Sequence, residues 1–146
     1  MEYSKNGLHL TERFEGCALR AYRDIAGVPT IGYGHTAGVQ PGMVCTQEQA
    51  EAWLLDDVDM AARAVNQLVT ASLTQNEFDA LVDFVFNVGI GNFRDSTLLK
   101  MLNAGDYSQA AGQFARWDKA GGVEVAGLLA RRQAEETEFL DELDPC

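Results

Sequence analysis

The sequence contains little of what builds disulfide-rich, metal-binding or membrane-spanning proteins. Only three of its 146 residues are cysteine (Cys17, Cys45 and Cys146), an odd number without the spacing of a metal site. We therefore expect no disulfide framework and no bound metal, and we interpret Cys17 as a packed thiol. No stretch approaches the roughly 20 apolar residues of a membrane span, and the first residues lack the apolar core of a signal peptide. These absences predict synthesis in the cytoplasm without stable membrane insertion.

Basic residues are also scarce. The chain has 11 Lys and Arg against 22 Asp and Glu, which gives a formal net charge of −11. Proteins that bind nucleic acid contact its phosphates through clusters of Lys and Arg, so binding of nucleic acid is disfavoured. The surplus of acidic residues is most simply a solvated surface.

What the chain does contain is typical of one globular domain spanning residues 1–146. Hydrophobic residues make up 47% of the chain, with 14 Gly and 3 Pro. A chain of this length can bury most of its apolar surface in one core. No repeat of fixed period is evident, so a solenoid or repeat array is not expected.

The order of helical and strand patterns predicts an α+β fold with two lobes. Residues 6–15 are typical of a helix, and two short strand patterns at 19–23 and 29–33 predict a small antiparallel sheet lobe at about 16–45. A capping box at Thr46 then begins a helix of about 23 residues, which would span about 35 Å. A second capping box at Thr74 begins a helix that is apolar on nearly all sides. We expect the long helix to join the sheet lobe to a larger helical lobe, at about 70–146 plus the first helix, with a cleft between them.

Glu15 stands at the end of the first predicted helix, with Gly16 as its stop. The negative end of the helix dipole opposes ionisation of the Glu15 carboxyl there, and partial burial would act in the same direction. A carboxyl that stays protonated near neutral pH is what a general acid requires. Taken alone, however, Glu15 is more simply a surface residue at a helix end.

Asp24 and Thr30 flank the turn between the two predicted strands. They would lie close together if the strands pair, although alone they are a turn former and a strand residue. Gly32 and Gly34 leave the second strand without side chains, which lets a ligand or another part of the backbone approach closely.

Three charged residues fall on or beside the inward stripe of the last predicted helix: Arg131, Arg132 and Glu135. Buried charges must be paired. One arginine could bond Glu135 at i+3 or i+4, which would be a purely structural pair. It could instead face the cleft and hold a carboxylate, and the spacing leaves both possibilities open.

The stretch from Glu15 to Thr36 resembles the catalytic signature of the phage-type lysozymes, glycoside hydrolase family 24. That signature is Glu-x8-Asp-x5-Thr followed by I-G-x-G-H, and all of its elements are present, ending at residues 31–35. The resemblance extends more weakly over nearly the whole chain and implies a lysozyme-like fold. It also implies hydrolysis of the β-1,4 bond from N-acetylmuramic acid to N-acetylglucosamine in peptidoglycan, with inversion at the anomeric carbon and without a cofactor.

The same resemblance implies roles for individual residues. Glu15 would be the general acid, and Asp24 with Thr30 would hold and activate the attacking water. Two carboxyls on different elements, far enough apart to admit a water, are what inverting hydrolysis of a glycosidic bond requires.

The resemblance also implies residues that bind the substrate or hold the catalytic residues in place. Asn87, in the segment F-N-V-G, would hydrogen-bond the acid or a sugar N-acetyl group. Arg131, in the segment G-L-L-A-R-R, would lie against the catalytic glutamate. Gly32 belongs to the I-G-x-G-H element, whose His35 would pair with a carboxylate of the long helix, for which Asp57 is the best match.

Net charge is the main departure from this family. Many members are basic, which helps them onto an anionic wall and lets some disturb membranes without catalysis; a chain at −11 should lack that second activity. The sequence also shows no hydrophobic signal-anchor of the kind that some relatives use for export. We therefore expect a monomer that depends on a holin for release from the host cytoplasm and acts on peptidoglycan glycan strands in the periplasm.

Three other functions compete with this hypothesis. A lytic transglycosylase cuts the same bond with essentially one glutamate, and the presence of Asp24 and Thr30 argues against it. A hydrolase of chitosan-like polymers would suit an acidic cleft but has no need of an amide at Asn87. A non-catalytic wall-binding module of a lysis or tail complex would not require paired acids at this spacing.

Overall fold

The computed structural model describes residues 1–24, 26–120 and 122–141. Its helices are α1 (Lys5–Glu15), α2 (Gln47–Leu68), α3 (Gln75–Val88), α4 (Ile90–Arg94), α5 (Thr97–Asn103), α6 (Tyr107–Gln113) and α7 (Ala126–Leu140), and its strands are β1 (Ala18–Arg23), β2 (Pro29–Gly32), β3 (Lys119–Ala120) and β4 (Val123–Glu124). The α+β class predicted from the sequence is confirmed. Cys146 lies outside the described residues.

The sheet near the N-terminus is small and antiparallel. β1 pairs with β2 in the register Ala18↔Gly32, Tyr22↔Thr30 and Arg23↔Pro29, with an irregularity between the first two pairs. A third extended segment joins through the bridge between Arg20 and Val44. β2 ends one residue before the predicted boundary, because Gly32 has a φ of 64°, which turns the chain out of the strand.

Two threonines begin the central helices, as the capping signals predict. The Thr46 hydroxyl accepts a hydrogen bond from the backbone N–H of Gln49 at the start of α2. At α3, Thr74 and Glu77 form a complete capping box, each side chain bonding the backbone N–H of the other residue. These bonds satisfy amide donors that would otherwise lack partners in the first helical turn.

α3 forms the centre of the helical part of the molecule. Its apolar side chains from Phe78 to Val85 are fully or almost fully buried, and the helix packs against α1, α2 and α7. Phe84 meets the rings of Phe93, Phe114 and Trp117 edge-on, at centroid distances between 5.3 and 6.3 Å. This packing fixes the orientation of α3, which carries several of the polar residues described below.

α2 connects the sheet to these helices. A Cβ added to Gly32 would lie 3.3 Å from the Cα of Ala50, so the glycine lets β2 pack closely on α2. Of the two possibilities that the sequence raised for Gly32, the structure therefore shows the approach of another backbone. None of the described helices has the length and apolar character needed to cross a membrane.

The structure corrects several predictions. The spacing of Tyr107, Ala110, Phe114 and Trp117 along the sequence predicts one helix, but α6 ends at Gln113 and continues as one 3₁₀ turn, Phe114–Arg116. The short helix α4 and the hairpin of β3 and β4 were not predicted, because two-residue strands carry no periodic pattern. The interpretation of Cys17 as a packed thiol is wrong: it lies in the exposed link between α1 and β1, and both Cys17 and Cys45 are free thiols.

Candidate active site

A cleft of about 600 Å³ lies between the sheet and the helices. It brings together Glu15 from the end of α1, Asp24 from the turn after β1, and Thr30 from β2. Asn87 of α3 and Asp57 of α2 also line it. Residues from separate segments thus meet around one concave surface, which is the usual setting of a ligand site.

Glu15 is the last residue of α1 and points into this cleft. Gly16 ends the helix at a φ of 64°, and the Glu15 side chain is 17% exposed. One of its oxygens, Oε2, accepts a hydrogen bond from Nη1 of Arg131 at 2.5 Å. The other, Oε1, lies 2.5 Å from the place where a Cβ on Gly34 would stand. The absence of a side chain at Gly34 therefore gives the Glu15 carboxyl its room.

Asp24 is held by its own turn. Its Oδ1 accepts hydrogen bonds from the backbone N–H groups of Ala26 and Val28, both at 2.9 Å. The backbone of the same turn is closed by the N–H of Asp24, which donates to the carbonyl of Val28 at 3.0 Å. The residue is exposed to solvent, so local bonds fix its carboxylate while leaving it open to the cleft.

Thr30 is almost completely buried, with 3% of its surface exposed. Its hydroxyl donates to the carbonyl of Val28 at 2.9 Å. Because the hydroxyl proton is engaged in this bond, its oxygen presents lone pairs to any donor in the cleft. A water beside Thr30 would therefore be bound as a hydrogen donor.

Arg131 is the bridge between Glu15 and the core, which resolves the two possibilities left open by its spacing. Its Nε and Nη2 donate to the two oxygens of Asp83 at 3.0 and 2.8 Å, while Nη1 reaches Glu15. Burial alone would raise the pKa of Asp83, but hydrogen bonds from Glu135 and Arg131 and the charge of Arg131 lower it to about 2. Burial would likewise lower the pKa of Arg131, yet its bonds to Asp83 and the charges of Asp83 and Glu15 raise it.

Arg132 forms the structural pair with Glu135. Its Nη2 donates to Oε2 of Glu135 at 3.0 Å and to Oδ1 of Asn87 at 2.9 Å, and both members of the pair are 0% exposed. Burial, together with the neighbouring Asp83, raises the pKa of Glu135 well above its usual value. The partner that Asn87 finds is thus Arg132, and the hydrogen bond to the acid suggested for it is replaced by this one.

His35 pairs with Asp57, as the resemblance implied. The His35 Nδ1 and the Asp57 Oδ2 are 2.8 Å apart, and the imidazole stacks on the indole of Trp53 with centroids 4.7 Å apart and ring planes 6° apart. Both partners belong to α2, while His35 follows β2. These contacts therefore tie the sheet to the long helix at the base of the cleft.

Asp83 is a site residue that sequence analysis missed. The signal was present, because Asp79 and Asp83 stand four residues apart in an otherwise apolar helix and must share its buried face. Both are 0% exposed. Buried aspartates require partners, but the partners of Asp83 lie 48 or more residues away and leave no local pattern.

Comparison with known proteins agrees with this arrangement. The sequence model of the phage lysozyme family matches residues 12–135. The endolysin of Acyrthosiphon pisum secondary endosymbiont phage 1 is 46% identical over 143 residues, covering 95% of this chain and 98% of that protein.

Solved structures give the same result. The endolysin from Escherichia coli O157:H7 phage FAHEc1 superposes with a TM-score of 0.91 at 42% identity, covering 100% of this chain and 98% of that one. The muramidase domain of SpmX from Asticaccaulis excentricus also gives a TM-score of 0.91, at 39% identity over 96% of this chain and 98% of that one. The lysozyme-like fold is therefore confirmed, and the chain belongs to the phage lysozyme family.

Proposed function

We propose that this protein is an endolysin that hydrolyses the β-1,4 bond between N-acetylmuramic acid and N-acetylglucosamine in peptidoglycan. The observation that carries the proposal is the meeting of Glu15, Asp24 and Thr30 around one cleft. Membership of a family of phage lysozymes supports the same substrate. The chemistry follows from the way each of the three residues is held.

Glu15 acts as the general acid. Its carboxyl stands at the rim of the core, where it can give a proton to the glycosidic oxygen as the bond to the leaving sugar breaks. Arg131 fixes the position of Oε2, and Gly34 leaves space beside Oε1. After the transfer, the same Arg131 stabilises the carboxylate that remains.

Asp24 and Thr30 bind and activate the attacking water. The water donates one hydrogen to the Thr30 oxygen and loses its other proton to the Asp24 carboxylate as it attacks the anomeric carbon. Because acid and base act on opposite faces of the sugar ring, the configuration at that carbon inverts. No covalent intermediate and no cofactor take part in this sequence.

The remaining predicted residues bind the substrate or hold the sheet against the helices. Asn87 presents its amide NH₂ to an N-acetyl group while Arg132 holds its oxygen. His35, Asp57 and Gly32 keep the sheet packed against α2 and so set the width of the cleft.

We also propose how the protein reaches its substrate. It is made in the host cytoplasm as a single two-lobed domain and a monomer, and it reaches the periplasmic peptidoglycan after a holin opens the membrane. Binding to nucleic acid and lysis by direct membrane disruption are not part of its activity, since the chain carries a net charge of −11.

The decisive experiment compares the wild-type protein with Glu15→Gln in a turbidity assay on bacterial cells stripped of their outer membrane. Gln keeps the size of the side chain but carries no transferable proton, so clearing should slow by a factor of about 10² to 10⁴ while circular dichroism stays unchanged. Equal clearing by both proteins would show that Glu15 is not the general acid, whereas equal wall binding without clearing by either would support a wall-binding module.

Product analysis separates hydrolysis from transglycosylation. Hydrolysis leaves a reducing muramic acid that borohydride converts to its alcohol, whereas a transglycosylase leaves an anhydro ring that does not react. Only the first product is expected, because Asp24 and Thr30 supply a water to the anomeric carbon. A parallel assay on chitosan tests the remaining alternative, and there we expect no turnover.

A further inference from the structure

The donors of Arg131 are divided between the core and the cleft. Two of them bond the carboxylate of Asp83, and one bonds Glu15. A guanidinium is planar and rigid, so a partner that takes two of its N–H groups fixes the direction of the third. Asp83 therefore fixes the direction of the bond from Arg131 to Glu15, although Asp83 is 0% exposed and does not line the cleft.

Asp83 is in turn held by the helix that carries Glu15. The hydroxyl of Thr11 donates to Oδ1 of Asp83 at 2.7 Å, and Thr11 lies one turn before Glu15 on α1. Tyr3 bonds the same hydroxyl at 2.6 Å. The contacts thus form a closed circuit, from α1 through Asp83 of α3 and Arg131 of α7 back to Glu15 of α1.

We propose that Asp83 is a positioning residue for the general acid: it aims Arg131 at Glu15 and offsets the positive charge that Arg131 brings beside that carboxyl. This inference rests on the proposed role of Glu15. Without Asp83, the full charge of Arg131 would act on Glu15 and favour its ionised form, which cannot donate a proton. With Asp83 present, the arginine orients the acid at a smaller electrostatic cost.

Other charged groups around this circuit do not replace Asp83. In α7, Oε2 of Glu135 lies 3.9 Å from Nε of Arg131 and Glu135 also hydrogen-bonds Asp83, but burial raises its pKa and so opposes the negative charge that would replace that of Asp83. Arg132 is committed to Glu135 and Asn87. In α3, Asp79 bonds Ser4 and Gln75, one turn further from the cleft. Facing groups from the other elements are Tyr3, which precedes α1, Asp57 of α2 and Asp24 of the turn after β1. None of these three bonds Arg131 in the part of the chain that the structure describes.

The test is the substitution Asp83→Asn, which removes the charge and keeps a similar shape. We expect the alkaline limb of the pH profile of kcat/KM on purified peptidoglycan to move to lower pH by about one unit. A direct readout is the pH titration of the Glu15 carboxyl carbon by NMR, assigned by its disappearance in Glu15→Gln. Its midpoint should move in the same direction, and it is measurable in a protein that hydrolyses nothing, so failure of the proposed function would be seen separately.

Asp79→Asn is the matched control. Asp79 is also an aspartate of α3 with 0% exposure, but its partners are Ser4 and Gln75 instead of Arg131. It should lose stability as Asp83→Asn does, while its pH profile and Glu15 midpoint stay within about 0.2 units of wild type. Equal shifts in the two variants would overturn the proposal, since they would reflect only the loss of a buried charge.

A double variant tests whether Asp83 acts through Arg131 and serves if Asp83→Asn alone does not fold. In Arg131→Gln, the Glu15 midpoint should rise above that of wild type. Adding Asp83→Asn to Arg131→Gln should then change the midpoint little, because burial without the arginine keeps the Asp83 carboxyl protonated and leaves no charge for the substitution to remove. If Asp83→Asn shifts the midpoint as far in the Arg131→Gln background as in the wild-type background, the inference is contradicted.

Discussion

The two sides of the cleft hold their carboxyl groups in opposite ways. On the sheet side, Asp24 is exposed and is fixed by two N–H groups within four residues of it. On the helical side, Glu15 is fixed by Arg131, 116 residues away, which is fixed by a buried aspartate. The base proposed for Asp24 must stay charged and can stand in water on a local turn, whereas the acid proposed for Glu15 must keep a proton and lies at the edge of a buried network.

This comparison predicts that changes on the sheet side alter rate alone. The largest effect is expected for Asp24→Asn, whose amide oxygen can still accept both turn bonds but cannot take a proton from water. The rate on purified peptidoglycan should fall by about 10² to 10⁴, with the thermal unfolding temperature unchanged. A large fall in that temperature would show that Asp24 carries structure as well, and the contrast between the two sides would fail.

Changes on the helical side should alter stability as well as rate. Arg131→Gln leaves Asp83 buried without its countercharge, which should lower the free energy of unfolding by about 3 kcal/mol in denaturant titrations. Arg63→Gln is the control, because Arg63 forms an ion pair with Asp59 whose side chains are 75% and 55% exposed. It should change stability little. If both variants lose a similar free energy of unfolding, burial does not make the Arg131–Asp83 ion pair more important for stability than the exposed pair.

Acid should weaken the helical side selectively. The pKa of Asp83 is about 2 in the folded protein and 3.8 in the unfolded chain, so its contribution is complete above pH 4 and is lost as pH falls through 2. The loss should amount to about 2 kcal/mol of unfolding free energy. Glu135, whose pKa is raised by burial, is protonated in this range in both states and adds no slope. In Asp83→Asn, the free energy of unfolding should no longer decrease between pH 4 and pH 2. If it still decreases as in wild type, groups other than Asp83 cause the acid sensitivity.

Gly34 tests the comparison at the place where the two sides of the cleft meet. Gly34→Ala should cost about 1 kcal/mol, because its φ is 79°, and should also lower activity, because the new Cβ would lie 2.5 Å from Oε1 of Glu15. Gly38→Ala has a φ of 71° and no atom within 4 Å of the added Cβ. It should lose similar stability and keep full activity. Equal activities would show that Glu15 tolerates displacement.

Features with short-range signals were the more predictable ones. Glu15, Asp24 and Thr30 were found because their spacing along the chain resembles a family signature, and the threonine caps of α2 and α3 are local signals. The pairing of His35 with Asp57 was also predicted, but only through the family resemblance. Structures held by hydrogen bonds between residues close in sequence can be recognised from short sequence motifs.

The helical side could be predicted only in part. The inward position of Arg131, Arg132 and Glu135 was visible from helical periodicity, but the choice of partner was not. Asp83 joins Arg131 across 48 residues, and only the packing of α3 on α7 brings them together. The same limit explains the reassignment of Asn87 to Arg132, and it explains the short α4, β3 and β4, whose shape comes from their surroundings.

The span between Glu15 and Arg131 has a consequence for the order in which activity is acquired during translation. The turn that carries Asp24 is complete as soon as its own residues have left the ribosome, because its donors lie within it. The hydrogen bond that fixes Glu15 can form only after Arg131 has left the ribosome, 116 residues later. We therefore expect a nascent or prematurely terminated chain that lacks Arg131 to have Glu15 without its ion pair and to hydrolyse peptidoglycan poorly.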